Sequence, residues 1–219
     1  MLRYLLLLFI TLVLLTSCEQ PERAPFTTGS QFVYATSYTS SGGRKTQYDT
    51  LVFTIQERDI TTYSPDLKKI KWENTRHNYY QFRGLNTKDG IVALQLPINY
   101  RGFDQELIAV AGHPTVSLNQ PAGYSLDKVN TYTDGYGLLT GRTITQRIKD
   151  VKDTSILFDG VLLDCRQLQS HNISPHDSLG QFILHYTYNP AYGFITLNYQ
   201  YPSGKRISMR LIDVSITGR

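Results

Sequence analysis

The sequence predicts a mainly β fold, an antiparallel curved sheet or half-barrel with at most one short helix. Three observations carry this expectation. From Gln31 onward, apolar and polar residues alternate with period two in short segments rich in Tyr, Phe, Val, Ile and Thr. Residues two apart share a face of a strand, so such segments suit a sheet with one buried side. Clusters of Gly, Pro, Asn and Asp interrupt the segments where hairpin turns would fall. Sixteen tyrosines and nine phenylalanines supply bulk that fits a half-buried pleated surface.

The first element stands apart from this domain. Arg3 precedes an apolar run from Leu5 to Leu15, which closes on Leu15-Thr16-Ser17-Cys18. The run is about eleven residues, short of the roughly 20 that a helix needs to cross a hydrocarbon core. Its basic start, apolar middle and small residues describe a processed leader. The tetrad resembles that of bacterial lipoprotein signal peptides. The resemblance implies that the Cys18 thiol receives a diacylglycerol, that the chain is cut before Cys18, and that the new amine is acylated, with palmitate a fitting chain. Two or three acyl chains hold a protein stably where one holds it only marginally. Glu19 stands where an aspartate retains enterobacterial lipoproteins in the inner membrane, so the resemblance favours the outer membrane. The expected organisation is therefore a signal peptide over 1–17, a lipidated Cys18 with a flexible tether over 18–29, and a single β-rich domain over 30–219. The tether, Glu19 to Gly29, is polar with two prolines and spans roughly 15–25 Å as a loose coil.

Strands are expected at Gln31–Thr39, Thr50–Asp59, Lys68–Asn74, Asn78–Arg83, Ile91–Leu96, Thr140–Val151, Val161–Ser170, Phe182–Tyr188, Phe194–Tyr201 and Lys205–Ser215. A short amphipathic helix fits Phe103–Ala111, capped by Asp104 and ended by Gly112-His113-Pro114. Residues 115–141, with Pro121, Tyr124, Tyr132, Tyr136 and several glycines, read as a long connection between two halves of the sheet. The last three strands carry the clearest alternation. Phe182, Leu184, Tyr186 and Tyr188 share a face, as do Ile195, Leu197, Tyr199 and Tyr201, and then Ile207, Met209 and Leu211. Asn189-Pro190-Ala191-Tyr192-Gly193 and Pro202-Ser203-Gly204 supply the turns of an antiparallel meander.

The second half of the chain resembles the small lipoproteins of Bacteroidota, related in pattern to the half-barrel of LolA-like lipoprotein carriers. The residues that carry the likeness are Gly137-Leu138-Leu139-Thr140-Gly141, the segment Asp159 to Arg166, and Tyr188 to Ile195 followed by a closing strand that ends Leu211-Ile212-Asp213-Val214. The resemblance implies fold and location, with no activity attached.

Composition narrows the function classes. The formal net charge is +4, and the basic residues gather only in small groups, Lys68, Lys69 and Lys71, then Lys205, Arg206 and Arg210. Acidic residues punctuate the chain and no block of five like charges occurs, so no nucleic-acid partner is expected. Only Cys18 and Cys165 are present, and with the first committed to lipid no internal disulfide can form. Cys165 alternates with Val161 and Leu163, which reads as a small buried hydrophobe rather than a nucleophile.

No catalytic constellation stands out. His171, His176, Asp177 and His185 lie close in sequence, but without a spaced pair that fixes metal geometry, so loop histidines and no metal are expected. No Gly-x-Ser-x-Gly elbow occurs. Asp104, Glu106, Asp127 and Asp134 offer paired carboxylates only in the sense that any chain with 18 acids does. Exposed tyrosines can stack on sugars or line an apolar cleft, which makes Tyr124, Tyr132 and Tyr136 the candidate ligand-binding residues. The sequence thus predicts a non-enzymatic, cofactor-free protein, attached to a membrane through lipid, with a binding or envelope-assembly role toward an envelope protein or an apolar ligand. A carrier of a lipid in a curved sheet is the alternative, and an envelope hydrolase a more remote one.

Overall fold

In a computed structural model, the structure describes residues 25–43, 45–57, 67–98, 100, 110, 112–131, 140–173 and 180–217. These residues form β1 (Gln31–Thr39), β2 (Thr46–Ile55), β3 (Leu67–Asn74), β4 (Tyr79–Asn86), β5 (Ile91–Leu94), β6 (Thr115–Ser117), β7 (Ser125–Thr131), β8 (Thr143–Phe158), β9 (Val161–Ile173), β10 (Ile183–Asn189), β11 (Gly193–Gln200) and β12 (Arg206–Ser215). All twelve join one antiparallel sheet in the order β6-β5-β4-β3-β2-β1-β12-β11-β10-β9-β8-β7. Two meanders, β1 to β6 and β7 to β12, meet where β1 pairs with β12.

Chain connectivity dictates the curvature. The two outermost strands, β6 and β7, are neighbours in sequence, joined by residues 118–124. A flat sheet would hold them roughly 50 Å apart, from eleven gaps of about 4.8 Å. The link from Ser117 to Ser125 reaches at most about 28 Å. The sheet must therefore curl until its edges approach, and the concave side becomes the core.

The alternation places the large side chains there. Phe32 and Tyr34 of β1, Leu51 and Phe53 of β2, Ile70 and Trp72 of β3, and Met209 and Leu211 of β12 are all buried. Phe53 is the hub, with ring centroids 4.5 Å from Phe32 and 4.9 Å from Trp72. Buried aromatic dipoles find partners: the Trp72 indole N–H donates to the Gln95 carbonyl at 2.9 Å, and the Tyr34 hydroxyl to the Phe194 carbonyl at 2.6 Å. The three faces read in the last strands are the ones that are buried.

Several boundaries differ from the sequence reading. β2 begins at Thr46, because residues 46–49 pair with Thr39 to Thr36 of β1. β8 runs on to Phe158 and turns through Asp159-Gly160, both at positive φ (48° and 75°), into β9. Asp-Gly suits the primed two-residue turn whose twist matches that of the flanking strands. Residues 115–141 are not one connection, since they hold β6 and β7. β6 is only three residues long, and too few residues repeat for a period to register. Of the expected helix at Phe103–Ala111, only Val110 is described, a buried core residue.

Candidate functional site

The seam between β6 and β7 gathers the densest buried polar chemistry. Paired on one side with β5, β6 turns the N–H and C=O of Thr115 and Ser117 toward its other edge, where none of the described strands pairs with it. Unpaired edge groups carry the cost of a lost hydrogen bond when buried. Here side chains replace the missing strand. The Tyr186 hydroxyl donates to the Thr115 carbonyl and accepts from the Thr115 N–H at 3.4 Å. The Ser117 N–H donates to the Tyr124 hydroxyl at 2.8 Å, and Arg166 Nη1 donates to the Ser117 carbonyl at 3.0 Å.

Arg166 is itself held by Asp150. Its Nε donates to Asp150 Oδ2 at 2.9 Å, its Nη2 binds the same oxygen, and its guanidinium lies 5.2 Å from the centre of the Tyr124 ring. The Asp150 side chain is 1% exposed, and among the described residues its Oδ1 has no hydrogen-bond partner. Burial pushes the Tyr124, Tyr186 and Tyr199 hydroxyls above the ordinary range. They are fixed hydrogen-bonding groups at neutral pH rather than acids or bases. Beside the seam, His113 Nδ1 accepts from the Leu96 N–H at 3.3 Å. Burial first, then the charges of Arg83 and Lys128, pushes its pKa down to about 3.

A second polar cluster lies at the rim, at the opposite end of β2. Asp49 Oδ1 accepts from Asn74 Nδ2 (2.6 Å) and the Thr50 N–H (2.8 Å). Its Oδ2 accepts from the Tyr100 hydroxyl (2.6 Å) and lies 3.2 Å from His77 Nε2. A carboxylate has about four lone-pair sites. Among the described residues Asn74, Thr50, Tyr100 and His77 crowd both oxygens of Asp49, which makes it an anchor that ties β2 to β3 and to Tyr100. The shallow cleft there, lined by Thr36, Tyr38, Gln47, Asp49, Tyr100 and Ile207, has room for about one water molecule.

Tyr124, read from the sequence as an exposed stacking platform, is buried at 8% exposure with its hydroxyl engaged, so its ring belongs to the core. Its partners are brought in by β6 and β9, which a linear reading of aromatic residues does not reveal. Tyr132, Tyr136 and Cys18 lie outside the described residues, as do Asp104, Glu106, Asp134, His176 and Asp177. His171 sits within β9, opposite Arg147 and Ile183, rather than in a loop. Asp127 is engaged by Arg147 in a bidentate pair at 2.8 and 2.7 Å. Cys165 is buried, and burial with the Asp164 charge raises its thiol to about 11. Among the described residues no group of three or more His, Cys, Asp and Glu side chains could hold a metal.

Among the described residues, the outer surface carries an exposed apolar cluster on the β8–β9 hairpin, besides the Tyr80–Phe82 pair on β4. β8 and β9 run past their neighbours as a projecting hairpin, and alternate residues Ile156, Phe158, Leu163 and Cys165 turn inward, with Phe158 against Tyr192 at 5.3 Å. Leu157, Val161 and Leu162 are left exposed at 60%, 54% and 66%.

No protein-family profile matches the chain, and no curated protein matches it. Among solved structures, it is similar to a candidate lipoprotein from Parabacteroides distasonis, at 12% identity and a TM-score of 0.47 over 87% of this chain and 97% of that one. It is also similar to the hypothetical lipoprotein YmcC from Escherichia coli (11%, TM-score 0.41, over 93% and 95%). A candidate exported protein with a YmcC-like fold from Bacteroides fragilis is similar at 10% identity, with a TM-score of 0.42 over 87% and 97%.

Proposed function

We propose that the chain is a lipid-anchored protein of the cell envelope, held through acyl chains on Cys18 at the outer membrane, with a non-catalytic binding or assembly role played by its outer surface. The observation that carries the anchor is the apolar run ending in Leu15-Thr16-Ser17-Cys18. The non-catalytic reading is supported by the state of the polar clusters. Both oxygens of Asp49 accept hydrogen bonds from neighbouring groups, and the tyrosines of the seam are spent on backbone groups. A reacting centre instead needs groups that converge on a vacant point about 3 Å away.

The carrier reading, in the manner of a LolA-like half-barrel, requires several hundred Å³ of apolar space. The described inward side chains pack into one continuous cluster, which favours the outer surface over the interior. Native mass spectrometry of the full acylated chain, released gently from its own envelope, tests this. The expected result is the mass of the acylated chain alone. A further lipid-sized mass, lost on organic extraction, would overturn the filled-interior reading in favour of a carrier.

A further inference from the structure

The projecting hairpin and the start of the domain lie at the same end of the sheet. Phe26 packs its ring onto Gly193, where a Cβ would lie 2.7 Å from the ring, and its carbonyl accepts from Lys68 Nζ at 2.6 Å. Gly193 closes the β10–β11 turn, and Tyr192 of that turn meets Phe158, the last residue of β8 before the hairpin turn. The register agrees: Gln31 of β1 faces Ser215 of β12, and through β11 and β10 the same end reaches the Asp159-Gly160 turn. From Arg166, the last residue of β9 paired with β10, the hairpin runs about 15 Å to its turn, with the β10–β11 turn packed along its inner side through Asn189 and Tyr192. From Cys18 to Pro25 the chain spans at most about 25 Å. Acyl chains on Cys18 would therefore keep this end of the domain nearest the lipid.

We propose that the tip of the β8–β9 hairpin is a second membrane contact, with Leu157, Val161 and Leu162 seated among the headgroups and upper acyl chains of the leaflet that holds Cys18. This rests on the anchor proposed above. Leu157 and Leu162 lie on the face opposite Ile156, Phe158 and Leu163, which pack the hairpin onto the core, and Val161 sits exposed beside the turn. Leu157 and Leu162 form a cross-strand pair directed away from that packing. Apolar side chains at a projecting end face either lipid or a partner. The short tether selects lipid, since a soluble partner would have to fit between the tip and the surface that the tether holds close. Asp159 and Asp164 flank the tip, so zwitterionic headgroups suit it better than anionic ones.

The test uses the full acylated chain in vesicles of phosphatidylethanolamine and phosphatidylcholine, a fraction of which carries a nitroxide on the acyl chain. Leu162→Cys is labelled with a small environment-sensitive fluorophore, and Ser203→Cys, in the turn at the opposite end of the sheet, serves as the reference. Cys165, buried with a thiol raised to about 11, stays unlabelled. The proposal expects emission from position 162 to shift blue and to be quenched several-fold more strongly than that from 203. Equal quenching at both positions, in protein that carries acyl chains by mass and floats with the vesicles, would overturn the tip contact and leave the anchor standing. A blue shift without quenching would overturn it in favour of a protein contact. Chain that carries no acyl mass and does not float would overturn the anchor, and the tip contact with it.

Discussion

His113 contributes its lone pair and no charge. The ordinary histidine value is 6.5, and in the folded protein burial, with Arg83 and Lys128 nearby, pushes it down to about 3. Between these values the unfolded chain binds a proton that the native state refuses. Stability from this residue is therefore complete above about pH 6.5 and is lost progressively as the pH falls toward 3. His113→Gln keeps an acceptor for the Leu96 N–H and removes the titration. Urea midpoints measured across this range are expected to fall less steeply in the variant than in the parent. Identical slopes would mean that His113 takes up its proton as easily in the folded state as in the unfolded one.

At the scale of elements, β6 is a strand held on one edge by β5 and on the other by side chains. Arg166 is the central piece, because it holds the Ser117 carbonyl and the buried Asp150 carboxylate together. Arg166→Met strands that carboxylate without its counter-charge, and breaking a buried pair on one side costs about 3–5 kcal/mol. Adding Asp150→Asn is expected to restore part of the loss, as read by urea unfolding of both variants. A loss below about 1 kcal/mol would instead be that of a solvent-exposed pair. These elements also mark how far the sequence could be read. The strands of the C-terminal meander were legible because Phe182 to Tyr188, Ile195 to Tyr201 and Ile207 to Leu211 each repeat long enough to define a face. β6 was not, because its place comes chiefly from Tyr186 and Arg166, distant in sequence and joined to it only when the sheet curls, with Tyr124 reaching back from the adjoining link. Tyr124 drew notice as an aromatic, yet the role that the structure gives it comes from a backbone N–H that no spacing of side chains encodes. The exposed apolar tip escaped notice for a related reason. Its Asp-Gly turn is a strong hairpin signal, but the β-bulge at Val151 shifts the phase of β8, so alternation across Asp150–Phe158 does not run through.

For the whole molecule, connectivity sets the shape and places its functional ends. Twelve strands whose first and last members are joined by a seven-residue link must curl, and the curled sheet directs its concave side chains into one core. The proposed interaction surface is the outside, with the start of the described chain, the β10–β11 turn and the hairpin tip gathered at one end. A protein built in this way and tethered at Cys18 would meet its membrane in a defined orientation. The proposed anchor therefore underlies the proposed role of the molecule. Metabolic labelling of expressing cells with an alkyne-bearing fatty acid, followed by capture of the protein, tests it directly. Label on the parent chain that is lost in Cys18→Ser is the predicted result. A parent chain without label, or label that persists in Cys18→Ser, would contradict it.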